Sequence, residues 1–186
     1  MMEGIVNKIR TEIQMVFDAV DTRFYLNGDL LNYNPKNGGW NINKVLEHIS
    51  LTNHFLLVLI TKATIKAIEK SKTENYVHSI EGYDLDWYKL NQVGDHQSFY
   101  WNRPKHMEPT GTLNLEAIKS KLKQQMSECL SCLDQLKNGE GVLHKTTMSV
   151  NDLGKIDVYH YIVFLVQHAK RHLVQMDKIK IEFEQF

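Results

Sequence analysis

His48 lies in an apolar segment of the chain, where an imidazole must either act chemically or find hydrogen-bonding partners. When the surrounding residues are placed about 100 degrees apart, as on an α-helix, His48 shares a face with four apolar residues. These are Val45, Phe55, Leu56 and Leu59. The pattern predicts that the imidazole points into a protein core.

His168 and His172 are four residues apart, a spacing that places two side chains one turn apart on the same face of a helix. Mostly apolar residues continue this face on both sides of the pair. They are Tyr161, Leu165, Met176 and Ile179. We therefore expect these two imidazoles to point into the core as well.

Three inward-facing imidazoles have two interpretations that the sequence leaves open. They can be separate core histidines, each bonded to a backbone group or a hydroxyl. They can also converge on a divalent metal ion, which would satisfy one nitrogen of each ring at once. Three neutral imidazoles with an open position are a catalytic arrangement for zinc, and imidazole also suits nickel, copper and iron. The candidate metal ligands are His48, His168 and His172.

Other metal motifs fit this sequence less well. A zincin helix needs Glu directly after its first histidine, but Ala169 follows His168. Di-iron bundles use a Glu-x-x-His spacing, which the chain does not contain. We expect His160 to be structural and His54 to be solvated. The other histidines fall in predicted loops, where His106 could lie over the mouth of the site; they are His78, His96, His106 and His144.

The composition is that of an ordinary globular domain. Of 186 residues, 42% are hydrophobic, and 22 Lys and Arg balance 22 Asp and Glu. A neutral chain has no global field to attract phosphate backbones or anionic lipids, so we expect neither a nucleic-acid nor a membrane partner. The longest apolar run, 55–60, is too short to span a bilayer. The first residues lack the apolar core of a secretory signal, which favours a cytoplasmic protein.

Four segments carry apolar residues at helical spacing and predict one all-α domain over residues 1–186. The predicted helices run from about 4 to 25, from Asn41 or Asn43 to about 70, from after 111 to about 136, and from about 158 to 181. Residues 71–112 are rich in Tyr and Trp and show no sustained helical pattern. A connection of this length fits a four-helix bundle with a long crossover between helices 2 and 3. Residues 141–157 are expected to be irregular or to form a short hairpin.

Three features together resemble the DinB/YfiT-like superfamily. They are Trp40 before a helix with Glu47-His48, a long loop that ends in Pro109-Thr110, and a last helix with the pattern His-x-x-Arg-His-x-x-Gln. In this chain the last pattern comprises His168, Arg171, His172 and Gln175, and the helix follows a turn at Gly154. The resemblance covers most of the chain.

The resemblance implies a four-helix bundle with a long crossover and a three-histidine site for a divalent metal at His48, His168 and His172. It also implies zinc or nickel as the metal and a homodimer as a common assembly. The activities that it suggests are transfer of low-molecular-weight thiols such as bacillithiol, thiol-dependent isomerisation and hydrolysis.

We therefore expect a metal-dependent enzyme with a small-molecule substrate, preferably a bacillithiol-like thiol S-transferase. The metal would lower the pKa of the thiol cofactor, and the aromatic segment 71–112 would act as a lid. Arg171 is expected to form a salt bridge or to bind a substrate anion, and Glu47 to face a helix neighbour or water. Two alternatives stay open: a metal-dependent hydrolase, and a non-catalytic helical bundle that binds a metal or a ligand.

Overall fold

A computed structural model describes residues 2–99 and 104–185. Most of these residues are helical, with seven α-helices and one two-stranded sheet in the described part of the chain. The helices are α1 (Met2–Thr22), α2 (Gly28–Asn32), α3 (Ile42–Ser71), α4 (Val77–Ile80), α5 (Trp87–Gly94), α6 (Leu115–Gln135) and α7 (Val158–Phe183). The prediction of an all-α fold is confirmed.

The four long helices correspond to the four predicted segments. Helix α1 packs against α6 and α7, and α3 packs against the same two helices. The faces that meet are those with apolar residues at helical spacing, such as Ile9 and Ile13 of α1, which are completely buried. The main difference in extent is at residues 23–25, which form a 3-10 turn after α1.

Helix α3 begins where the side chain of Asn41 accepts a hydrogen bond from the backbone N–H of Lys44, which satisfies one of the first N–H groups of the helix. It is long and apolar enough to cross a membrane by length and composition alone. A core helix of a soluble protein passes the same test. In this structure α3 packs on α6 and α7, and its buried side chains include Glu47, His48 and Asn53.

Helix α7 is preceded by a short antiparallel hairpin of β1 (Lys145–Met148) and β2 (Gly154–Asp157). The last residue of β2, Asp157, accepts a hydrogen bond from the backbone N–H of His160 and caps the helix. The hairpin confirms one of the two structures expected for residues 141–157. The hairpin also fixes where α7 begins, and therefore the positions of His168 and His172 along the helix axis.

The aromatic segment between α3 and α6 is more regular than its sequence pattern predicts. Helix α5 begins at a cap by Asp86 and packs on α7 with Leu90 and Val93 completely buried. Two turns with two buried apolar residues give too little periodicity to recognise a helix from sequence. Two aromatic residues of this segment, Tyr100 and Trp101, lie outside the described residues.

Candidate metal centre

The packing of α3 on α7 brings three histidines together. The Nε2 atom of His168 lies 3.3 Å from Nε2 of His48 and 3.1 Å from Nε2 of His172. One ring nitrogen from each residue lies within 4.8 Å of the other two. His48 comes from α3, 120 residues before His168. The structure thus collects all three residues that the sequence analysis singled out.

These separations fit a cation between the rings. Two nitrogens bound to one tetrahedral zinc ion at the usual bond length lie about 3.3 Å apart. The remaining nitrogens of two rings are occupied: Nδ1 of His48 donates to the carbonyl oxygen of Met107 at 2.7 Å, and Nδ1 of His172 donates to Oε1 of Gln175 at 2.8 Å. A neutral imidazole with its proton on Nδ1 presents a lone pair at Nε2.

The tautomers that these two acceptors imply favour metal binding over three separate core histidines. Both Nε2 lone pairs, on His48 and on His172, face Nε2 of His168. A single N–H group on His168 Nε2 could donate to only one of them, whereas one cation can bind all three nitrogens. The donor set, three imidazoles, suits zinc or nickel.

The electrostatic environment favours the neutral form of His168 and His172. Burial, followed by the neighbouring charges of His172, His48 and Arg171, lowers the pKa of His168 well below its ordinary value. Burial is also the main cause that lowers the pKa of His172 to about 3, with smaller contributions from His48 and Arg171. Neutral imidazole is the form that binds a metal, so protons would compete weakly with a metal for these two candidate ligands at neutral pH.

Two of the candidate ligands, His48 and His172, have neighbours that fix their orientation. The ring of Trp40 packs against His48 with centroids 4.9 Å apart. The carbonyl of Met107 selects the Nδ1–H tautomer of the same ring. Gln175 has the equivalent role for His172 from the next turn of α7. The sequence analysis named Gln175 as part of a pattern and assigned it no role. Its spacing of three from His172 places the two side chains next to each other on a helix, which could have indicated this contact.

Glu47 does not face water. It is 2% exposed, and its carboxylate accepts hydrogen bonds from the backbone N–H and the hydroxyl of Thr110 and from the backbone N–H of Gly111. Helical position alone could not show this, because Thr110 and Gly111 cover this face of α3. They lie 63 and 64 positions after Glu47 in the chain. The motifs Glu47-His48 and Pro109-Thr110 are thus parts of one contact.

Arg171 holds a loop beside the histidines. Its guanidinium donates to the backbone carbonyls of Asp95, His96 and Phe99, with the last two at 3.0 and 3.4 Å. The guanidinium carbon also lies 5.3 Å from the centre of the Phe99 ring. In the described residues Arg171 therefore ties α7 to the loop that follows α5, a role different from the expected salt bridge or substrate contact.

His160, His106 and His54 are not part of this three-histidine group. His160 pairs with the capping carboxylate of Asp157 at 2.8 Å, as expected for a structural residue. His106 packs its ring against Phe55 with centroids 4.5 Å apart, on the loop that crosses α3. His54 is exposed on α3, as expected.

The sequence comparison agrees with this geometry. The family model of the DinB superfamily matches residues 12–176. The chain belongs to the DinB superfamily. The DinB match extends from α1 into α7 and includes all three histidines. Comparisons with curated proteins and with solved structures gave no significant match.

Proposed function

We propose that this DinB-superfamily protein is a divalent-metal-dependent enzyme whose metal ion is held by His48, His168 and His172. The observation that carries the proposal is the convergence of three ring nitrogens while Nδ1 of His48 and of His172 is engaged elsewhere. The site lies between α3 and α7. The contacts of α1 and α3 with both α6 and α7 support a four-helix bundle with a long crossover between α3 and α6.

The number of ligands favours catalysis over a purely structural ion. Structural zinc sites are closed by four protein ligands, whereas catalytic sites keep a position open. Within the described part of the chain, the group comprises three residues and no carboxylate or thiol. A zinc or nickel ion held there would supply a Lewis acid that lowers the pKa of a coordinating thiol or water molecule.

The protein residues around the candidate ligands fix the orientation of two of them. Trp40 forms an apolar wall against His48, and Phe99 stands beside Arg171 where the loop after α5 meets α7. Met107 and Gln175 hold the rings of His48 and His172 in the tautomer that ligation needs. A small molecule that reaches the open position would therefore meet ligand rings of fixed orientation, with the Trp40 ring beside His48.

Within this class we propose a thiol S-transferase that uses a low-molecular-weight thiol of the bacillithiol kind. The charge of the ligand set supports this choice, because three neutral imidazoles leave the charge of a divalent ion uncompensated. An anionic sulfur ligand would balance part of that charge. A metal-dependent hydrolase would use the same open position and is the second candidate.

The metal content of the purified protein tests the first proposal. Elemental mass spectrometry is expected to find about one zinc or nickel ion per chain in the parent, as for a mononuclear site. His48→Ala should lose this metal, whereas His54→Ala, which removes an exposed histidine from the same helix, should retain it. A parent protein that neither contains nor takes up zinc or nickel would overturn the proposal.

The reaction is tested separately on metal-loaded protein. A panel of small thiols is offered together with monochlorobimane, and adduct formation is followed by fluorescence. We expect a rate above background that His48→Ala lacks and His54→Ala retains. If the metal-loaded protein accelerates adduct formation with no thiol but hydrolyses an ester or amide from a second panel, the hydrolase replaces the transferase.

A further inference from the structure

The 104–114 loop crosses α3 directly over two adjacent residues. At one point the carbonyl of Met107 accepts the Nδ1–H of His48 at 2.7 Å. Three residues further along, the backbone N–H and hydroxyl of Thr110 bind one oxygen of Glu47, both at 2.9 Å. The N–H of Gly111 binds the other oxygen at 2.7 Å. Of these two adjacent residues, His48 is a candidate metal ligand and Glu47 is not.

We propose that Glu47 is a positioning residue for the metal site. Its carboxylate fixes the loop at Thr110 and Gly111, and the fixed loop holds the Met107 carbonyl where Nδ1 of His48 must donate to it. That donation keeps the lone pair of His48 on Nε2, which faces the other two histidines. The inference rests on the proposed metal-binding function of His48.

Glu47 holds the loop through both oxygens of its carboxylate, and each oxygen is hydrogen-bonded. The carboxylate is buried, and both of its oxygens accept hydrogen bonds from the loop. Hydrogen bonds to an ionised group are shorter and stronger than those between neutral groups. Thr110 is held a second time, since its hydroxyl oxygen lies 2.7 Å from that of Thr112. Glu47 therefore acts on several consecutive residues of the loop.

The backbone of the loop is shaped for this contact. Gly111 has a φ of +74°, a conformation that side chains disfavour. A β-carbon at this position would also meet Cε of Lys44, one turn before the ligand, at 2.7 Å. The conformation and the close approach together present the two N–H groups of Thr110 and Gly111 to Glu47.

Loss of the hydrogen bonds between Glu47 and the loop, here called the clamp, would weaken metal binding by changing the tautomer of His48. If the loop shifts, Nδ1 loses its carbonyl acceptor and the proton can move to Nε2, where it blocks ligation. Replacing a residue that orients a metal ligand typically weakens metal binding about 10–100-fold. Binding free energies are reciprocal, so a metal at His48 must stabilise the loop by the same coupling.

The test compares Glu47→Gln with Glu69→Gln, which alters an exposed glutamate on the same helix. The amide introduced by Glu47→Gln would direct an NH₂ group at loop N–H donors, which disrupts the clamp with little change in volume. Zinc affinity is measured by competition with a chromophoric chelator. We expect Glu47→Gln to bind zinc about 10–100-fold more weakly and Glu69→Gln to bind it as the parent does.

A second readout does not require metal. Long-range ¹H–¹⁵N spectra of the metal-free protein report the tautomer of each histidine. The parent and Glu69→Gln should show the proton of His48 on Nδ1, and Glu47→Gln should show a mixture with Nε2. Amide exchange at Thr110 and Gly111 should be slower with zinc than without it in the parent. An unchanged affinity together with an unchanged tautomer in Glu47→Gln overturns the proposal.

Thr110→Val keeps the test decisive if Glu47→Gln fails to fold. Thr110 is exposed, so this change removes one donor to Glu47 without affecting the core. Zinc binding should weaken in the same direction, by a smaller factor. Unchanged zinc affinity in a folded Thr110→Val would then count against the proposal. A parent that binds neither zinc nor nickel refutes the proposed function, whereas the tautomer of His48 still decides the role of Glu47.

Discussion

His172 donates from Nδ1 to the side-chain oxygen of Gln175 at 2.8 Å, and both residues belong to the same helix. The equivalent partner of His48 is a carbonyl on a separate loop. The Nδ1 hydrogen bond of one candidate ligand is therefore made within α7, whereas that of another depends on how the loop packs. The site thus combines a contact within one helix and a contact between residues distant in sequence.

Gln175→Leu should weaken zinc binding about 10–100-fold, because Nδ1 of His172 loses its acceptor and the ring can take the other tautomer. Competition with a chromophoric chelator measures this. Gln124→Leu, an exposed glutamine on α6, serves as the control and should bind zinc like the parent. Equal affinities for both variants would show that Gln175 does not orient His172.

The metal-free protein should lose stability in mild acid. Burial lowers the pKa of His172 to about 3, whereas the unfolded chain has a histidine pKa of about 6.5. Between these values the unfolded state binds more protons, so the free energy of unfolding is highest above pH 6.5 and falls as the pH decreases. For His172 alone the loss is about 2 kcal/mol between pH 6.5 and 5.

Denaturant titrations of chelator-treated protein at several pH values between 7.5 and 5 check this expectation. His168 adds to the effect, since its pKa is lowered in the same direction. Replacing His172 by Gln should reduce the slope with pH. A free energy of unfolding that is flat over this range would mean that the two rings are already protonated, or accessible to water, in the folded protein.

Zinc should raise the melting temperature. At a free zinc concentration of about 100 times Kd, binding to the folded state adds about 2.7 kcal/mol, which for a chain of this size is roughly 5–11 °C. His168→Ala removes a shared ligand and should abolish the shift, whereas His54→Ala should retain it. Calorimetry with zinc and with chelator measures both. A full zinc shift in His168→Ala would exclude this residue as a ligand.

Asp157→Ala should destabilise the fold without abolishing metal binding. The carboxylate is 1% exposed, caps α7 and accepts the Tyr83 hydroxyl at 2.8 Å. Loss of the cap and of this bond is expected to cost about 2–4 kcal/mol in urea unfolding. Asp134→Ala, which removes a surface ion pair with Arg10, should cost about 0–1 kcal/mol. Similar costs for the two variants would contradict the structural role of Asp157.

The sequence predicted that all three histidines point into the core, but the helix-face argument is better supported on α7 than on α3. On α7 the reference residues Tyr161, Leu165 and Met176 are all buried, so the predicted face is the real one. On α3 two of the four reference residues, Phe55 and Leu59, are 36% and 44% exposed. His48 is buried nevertheless, because α7 and the 104–114 loop both cover this part of α3.

What the sequence could not show is which distant residues meet. The bonds of Glu47 to Thr110 and of Arg171 to the loop after α5 join residues more than 60 positions apart. A sequence shows residue types and local periodicity, and neither carries the pairing of a side chain with a remote backbone group. Gln175 is the exception, since its contact with His172 lies within one helix turn.

Because the candidate ligands lie on two helices, a bound ion would also have a mechanical role. His48 and His168 are 120 residues apart along the chain, so an ion bound to both closes a loop of that length. Unlike a covalent bridge, such an ion is released when the chain unfolds, so it stabilises the protein through its affinity for the folded state. The ion would be a cross-link, and a chelator would act on this protein as a reducing agent acts on one that is held together by a disulfide.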